Sequence, residues 1–312
     1  MAEGKLMSNL EALTQQYIEM RQGLGYRLER EAVQLPLFAR FVIESGQDYV
    51  TVRLALEWAA QTPSGSAQQS GRRVGWIRQL TRFLSAHDPR TEIPSTVLAQ
   101  RVGSRRATPY IFSDSDVIML MRACEGYRGL MAKTSSTLIA LLVVTGMRIG
   151  EAIALNRNDI DTDQRTLTIR SGKLGKARRL PLSLSTCEAL IRYANERDRV
   201  HRHSDCPAFL LSLKGKRLIY KNVHFQFHRL VNQVGLGDCK PRPRLHDTRH
   251  AFAVATLTRW YADDLDIEPR LPMLSTYLGH LSPSSTYWYL TATPELLQLA
   301  RLRAERRSGR HV

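Results

Sequence analysis

No uninterrupted apolar run in this chain approaches the ~18–20 residues that span a bilayer. Its opening residues, Met1-Ala2-Glu3-Gly4-Lys5, lack the apolar core of a secretory leader. The expectation is a cytoplasmic protein with no membrane partner. Cysteine is sparse: Cys124, Cys187, Cys206 and Cys239 lie far apart and form no CxxC pair, which predicts free thiols rather than disulfides. His201-Arg202-His203-Ser204-Asp205-Cys206 is the nearest approach to a metal cluster. Without a second ligand group at metal-site spacing, it reads as a solvated turn before Pro207. Acidic residues are also short, 29 against 45 Lys+Arg, giving a net charge of +16 and a pI of about 10.1. That imbalance favours a polyanionic partner, nucleic acid before an anionic membrane, because the basic residues are spread along the chain.

What is present is ordinary globular material, 43% hydrophobic and 24% charged over 312 residues, enough for about two domains. Residues 8–101 read as four helices. Leu10, Leu13, Tyr17, Ile18 and Met20 mark the first, broken by Gly23 and Gly25. Leu35 to Ile43 marks the second, Val52 to Ala59 the third, and Val74, Ile77, Leu80, Phe83 and Leu84 the fourth. Arg72, Arg73, Arg78 and Arg82 make that last helix basic and are candidates for DNA-backbone contact. Pro89 to Thr108 reads as a linker, with Arg105 and Arg106 placed to cross a DNA backbone. Ser113 or Asp114 can cap the helix that opens the second half.

The apolar stretch Thr137–Val144 runs into Thr145-Gly146-Met147-Arg148-Ile149-Gly150-Glu151. An arginine directly after a buried helix must be paired or used. It can form a salt bridge with Glu151 or Asp159, or it can be a phosphate ligand with Glu151 holding it. Residues 165–170 and 178–182 predict a hairpin around Ser171–Lys176, with Lys173 at its tip and Lys176, Arg178 and Arg179 adding positive potential. Helices follow over 184–200 and 223–234. Ile219, Tyr220, Phe225 and Phe227 read as core. A further helix starts near Asp247, so His246 and Arg249, three apart, share one face near an anion-favouring N-terminus. His250 is open to a structural or a catalytic role. Gly279 ends a short helix and sets His280 just past its cap. Tyr289 follows nine residues later, with Tyr287 as a nearby competitor. Guanidinium, imidazole and phenol together suit attack on a phosphodiester.

The pattern resembles the tyrosine recombinases of the phage-integrase family, which includes the Xer-type enzymes. Thr145, Gly146, Arg148 and Glu151 match its first-arginine setting. Gly172, Lys173, Lys176, Arg178 and Pro181 match its lysine hairpin. His246, Arg249 and His250 match His-x-x-Arg-His, and Leu278-Gly279-His280 matches Leu-Gly-His. Tyr289 stands at the distance of the nucleophile. The ending Tyr289-Leu290-Thr291 departs from the commoner Tyr-x-His. The resemblance covers about residues 108–312 and the N-terminal part more loosely. It implies a mainly α fold with a small β-hairpin sheet, in which a helical, SAM-like core-binding domain (1–103) and a mixed α/β catalytic domain (108–312) form a C-shaped clamp on DNA.

The implied catalytic residues are Arg148, Lys173, His246, Arg249, His280 and Tyr289. The implied activity is site-specific recombination of double-stranded DNA through a 3′-phosphotyrosyl bond, in integration, excision, transposition or resolution, and the chain would suit a mobile element. No metal, ATP or other cofactor is implied. The working form would be a homotetramer on DNA or a complex with partner recombinases, with the helix after Pro294 docked on a neighbouring protomer. A type IB topoisomerase-like nicking and resealing enzyme would use the same residues, and a non-catalytic DNA-binding protein would keep only the fold.

Overall fold

The computed structural model describes residues 9–62, 67–97, 108–170, 177–280, 284–291 and 294–308. The chain divides into two compact units, Met1–Arg106 and Ala107–Val312. Its described residues are mainly helical with one small sheet. Among the described residues no helix is long and apolar enough to cross a membrane, and all four cysteines are free thiols.

Among its described residues the first unit packs the helices α1 (Asn9–Gly23), α2 (Glu31–Glu44), α3 (Val52–Ala60) and α4 (Ala67–Leu84). Their apolar stripes meet in a core that includes Tyr17, Phe38, Leu54, Trp58, Ile77 and Leu84. Met20, expected among the apolar positions of α1, is 42% exposed. Thr51 caps α3 by accepting from the Leu54 amide, as a β-region cap residue should. The described part of the expected linker differs from expectation. Residues 89–94 fold back onto this unit: Glu92 donates its amide to the Val50 carbonyl, its carboxylate accepts from the Val52 amide, and Arg90 pairs with Asp48. A stretch poor in apolar residues is thus fixed by polar contacts that hydrophobic patterning cannot show. Arg105 and Arg106 lie outside the described residues.

The second unit opens with α5 (Asp114–Ala123), where Ser113 and Asp116 form a reciprocal capping box. The central α6 (Leu130–Thr145) is buried along Leu138, Ile139, Leu141 and Leu142, so it reads as apolar on more than one face. After α7 (Ile149–Ala154) comes an antiparallel sheet of β1 (Ile160–Asp161), β2 (Thr166–Ile169) and β3 (Arg178–Pro181), in that order. Leu167 pairs with Ile160 on one side and Leu180 on the other, and Leu167, Ile169 and Leu180 bury their side chains in the core. The expected hairpin is β2–β3. The two-residue β1 was too short to show as a period-2 pattern.

Helices α8 (Leu184–Val200) and α9 (Tyr220–Gln233) cover the core. On α9 the reading of the aromatics as core holds for Phe227, 2% exposed, and fails for Ile219, Tyr220 and Phe225, each more than half exposed. Phe225 lies off the stripe that carries Val223, Phe227 and Leu230, whereas Ile219 and Tyr220 sit at the cap and the first position, where the helix begins. The chain ends with α10 (Asp247–Ala262), α11 (Arg270–Leu278), α12 (Ser284–Tyr287) and α13 (Pro294–Ser308). Here a second core of this unit joins Ala253, Leu257, Leu271, Leu274, Leu278, Tyr289 and Leu296. Leu296 of α13 therefore packs within its own unit, while Leu297 and Leu302 remain exposed.

Candidate functional site

Five chain segments meet in the second unit. Gly146, at φ +60°, ends α6 in the left-handed conformation, which glycine adopts without steric cost. A Cβ there would stand 2.5 Å from the Phe252 ring, so close packing requires glycine as well. The turn aims the Gly146 carbonyl at Arg249, whose Nη1 donates to it at 2.9 Å. Nη2 of Arg249 donates to the Leu278 carbonyl at 2.6 Å, so one guanidinium joins the ends of α6 and α11. Arg249 is 1% exposed. Burial first, and then the charge of Arg148, lower its pKa to about 10, against the opposing pull of Tyr289 and Glu151. It stays protonated at neutral pH.

Arg148 precedes α7. It donates through Nη1 to the Glu151 carboxylate at 2.9 Å and through Nη2 to the Gly279 carbonyl at 3.0 Å. Gly279, at φ +66°, is the left-handed cap of α11. Glu151 is 7% exposed and accepts four hydrogen bonds: the Arg148 amide at 2.9 Å and Nη1, and Arg178 Nη1 at 3.0 Å and Nη2 at 2.8 Å. Burial alone would raise its pKa. The bonds from Arg178 and Arg148 overcome that and hold the carboxyl below its ordinary value. The expected Arg148–Glu151 salt bridge is present. Asp159, the other expected partner, is taken by Arg170.

His246 caps the start of α10 and is an exposed residue. The protein packed around it, then the Arg249 charge, depress its pKa, which favours the neutral imidazole at neutral pH. Its ring meets His250, one turn on, edge to face at 4.9 Å between centroids. The His250 ring in turn lies 5.3 Å from that of Tyr289. His280 stacks near Tyr289 from another side, at 6.0 Å and 24°, and its Nδ1 is 2.8 Å from the buried Thr286 hydroxyl. Tyr289 is 3% exposed, whereas Tyr287 is 52% exposed.

Arg148, His246, Arg249, His280 and Tyr289 are therefore brought together. Lys173, and with it Lys176, lies outside the described residues. Of the cations expected on DNA, Arg72, Arg82 and Arg179 are exposed. Three others are engaged internally. Arg73 binds the Trp58 and Gln61 carbonyls and Gln34 and lies over the Trp58 ring. Arg78 donates to the Pro94 carbonyl. Arg178 is bound to Glu151 and to the Tyr277 carbonyl. Sequence alone gives such arginines the same weight as free ones, because their acceptors are mostly backbone carbonyls or lie far along the chain.

Thr286 is the hydrogen-bond partner of His280. The residues 201–206 border a cavity of about 610 Å³, and among the described residues no three His, Cys, Asp or Glu side chains gather as a metal site.

Residues 112–295 match the Phage integrase family. The chain is 40% identical over 311 residues to y4rB of Sinorhizobium fredii, named as an integrase/recombinase, covering 96% of this chain and 98% of that one. It is 32% identical over 226 residues to the tyrosine recombinase XerC of a Roseiflexus species, covering 70% of this chain and 66% of the other. Its fold is similar to that of the Tn1549 transposon integrase in complex with transposon right end DNA, at a TM-score of 0.70 and 17% identity over 96% of this chain and 99% of that one. With the arginines, histidines and tyrosine of the site gathered in its second unit, the chain belongs to the phage integrase family of tyrosine recombinases.

Proposed function

We propose that this chain is a site-specific DNA recombinase that cleaves and rejoins strands through Tyr289. The Tyr289 oxygen attacks the scissile phosphorus, the bond from phosphorus to the 5′-oxygen breaks, and the strand leaves as a 5′-hydroxyl. The enzyme keeps a 3′-phosphotyrosyl bond. A partner strand's 5′-hydroxyl then attacks that phosphorus and returns the phenol. One phosphoester bond forms for each one broken, so the reaction needs no ATP. The proton transfers are assigned to side chains, so no metal is assigned a step.

Arg148 and Arg249 would stabilise charge on the pentacovalent phosphorus, a contribution often worth ~10²–10³ in rate per preorganised donor. His246, held neutral, would accept the phenolic proton, directly or through His250. His280 would donate to a non-bridging oxygen, and Lys173 would protonate the leaving 5′-oxygen. The first unit would act as the core-binding domain, with Arg72 and Arg82 on the backbone of double-stranded DNA. Other copies of the chain, or partner recombinases, would complete a tetramer.

The observation that carries this reading is the setting of Tyr289. Its ring is buried against His250 and His280, with the Arg249 charge within electrostatic reach. A nicked suicide DNA substrate tests it. The wild type should form a covalent adduct, and Tyr289→Phe should bind the DNA without forming one. An adduct on Tyr289→Phe would move the nucleophile to Tyr287 or elsewhere. Lys173→Ala should slow cleavage of ordinary DNA and spare a substrate with a 5′-thiol leaving group. Equal slowing on both would remove Lys173 from the general-acid role.

A further inference from the structure

The sequence alone places Arg178 among DNA-contacting cations, but its side chain is only 11% exposed. Its guanidinium is committed on both edges. Nη1 and Nη2 form a fork on the two oxygens of Glu151 at 3.0 and 2.8 Å, and Nε donates to the Tyr277 carbonyl at 2.8 Å. Glu151 is the carboxylate that also grips Arg148. Gly279, whose carbonyl Arg148 binds, is where an added Cβ would strike the Arg178 guanidinium at 2.8 Å. From the start of β3, one arginine thus touches the end of α11 and the carboxylate beneath Arg148.

Charge makes the arrangement consequential. Were Arg148 and Glu151 alone, they would form a neutral pair, and a buried carboxylate would stand close to the incoming phosphate and repel it. Arg148 and Arg178 bind this one carboxylate, and a third guanidinium, Arg249, lies in the same electrostatic neighbourhood. They leave an excess of two positive charges, which matches a pentacovalent phosphorus carrying two negative ones. The fork geometry suits this task, because a guanidinium can satisfy both carboxylate oxygens at once where an ammonium cannot.

We propose that Arg178 is a positioning residue for strand cleavage: it neutralises Glu151 and braces it, so that the charge of Arg148 remains available to the scissile phosphate. This rests on the reading of the chain as a DNA-cleaving recombinase. Arg178 itself touches no substrate. Its effect appears where the phosphate is charged and fades where it is not.

The test compares single-turnover adduct formation on a suicide substrate having either an ordinary scissile phosphodiester or an uncharged methylphosphonate at that position. Arg178→Met should slow the ordinary substrate by about 10²-fold, the size of one lost charge-stabilising donor. It should slow the methylphosphonate by no more than about threefold, because that substrate places less charge on the phosphorus oxygens to be stabilised. DNA affinity should stay within about threefold of wild type, because Arg178 makes no backbone contact. Equal slowing on both substrates would mean that Arg178 only supports the fold, and no slowing on the ordinary substrate would remove it from the reaction; either result overturns the proposal. If Arg178→Met does not fold, Arg178→Lys is read on the same pair, with a deficit again expected on the charged substrate alone. An equal deficit on both would overturn the proposal in the same way. Failure of the wild type to form any adduct would instead overturn the recombinase reading.

Discussion

Arg249 and Tyr289 are both almost completely buried, at 1% and 3% exposed, yet they are held in different ways. Arg249 is fixed by hydrogen bonds to two backbone carbonyls at the ends of α6 and α11. Arg148 and Arg178 are fixed likewise to carbonyls and to one shared carboxylate. Tyr289 rests in an apolar cluster with Leu257, Leu271 and Leu296, and against the rings of His250 and His280. The half of the site that would meet charge is preorganised by directional bonds to rigid helix ends. The half that would move a proton and form a bond is seated on a short helical segment, in an apolar cluster and against two imidazole rings. Charge stabilisation gains from fixed dipoles that need not reorganise, whereas a nucleophile must travel to phosphorus. The contrast therefore follows the two tasks.

Breaking the arginine half should cost most. Arg249→Met should reduce adduct formation by about 10³-fold. It should also lower stability by roughly 2–4 kcal/mol, because the Gly146 and Leu278 carbonyls lose their buried donor. Rapid-quench cleavage assays and urea denaturation measure the two effects. Unchanged stability would mean that water replaces the guanidinium without loss, and the directional half would not be rigid in the sense argued.

Gly146→Ala should be next. It removes no charge, but it forces a side chain into a left-handed position and against Phe252, costing roughly 2–4 kcal/mol. A thermal melt within a degree or two of wild type would show that the α6 end adapts, and that Arg249 does not depend on its shape.

The histidines sharpen the other side. A folded-state pKa depressed below the ordinary ~6.5 keeps His246 neutral at neutral pH. Cleavage should then hold its rate as pH falls towards that value and decline only below it. The linked stability behaves in the same direction: it is unimpaired above the unfolded-state value and is lost as pH falls through the folded one, because the unfolded chain binds the proton more readily. His246→Gln should slow cleavage by about 10²-fold and abolish the acid limb. An acid limb centred above the ordinary histidine value would contradict the depressed pKa.

The smallest effect should come from Thr286→Val. It deletes the hydroxyl beside His280 Nδ1 and costs about one hydrogen bond, ~1 kcal/mol or some five-fold in rate. A loss as large as that of His246→Gln would make Thr286 a partner in the chemistry rather than an aid to ring orientation.

Much of the candidate site is legible in the sequence. Arg148, Arg249, His280 and Tyr289 could be named because their types and spacing carry the chemistry and the family pattern. Glu151 could be named as a partner because it lies one helical turn from Arg148. The roles of Arg178 and Thr286 could not be read. Arg178 lies 27 residues from Glu151, and hydropathy has no signature for an arginine that faces inward. Thr286 falls in an Ser-Ser-Thr run where capping is the default local reading.

The sequence by itself determined the helical elements, the hairpin strands, the basic character and the residue types of the site, because these depend on periodicity, turn chemistry and charge. Tertiary structure decided which cations are spent holding the protein together and which face outward. It decided that Ile219, Tyr220 and Phe225 are exposed and that Leu296 packs within its own unit. It also decided that two glycine-ended helices present their carbonyls to arginines more than 100 residues away in the case of Gly146 and Arg249. Those outcomes depend on which acceptors and apolar surfaces come together when distant segments pack, and no local pattern encodes that.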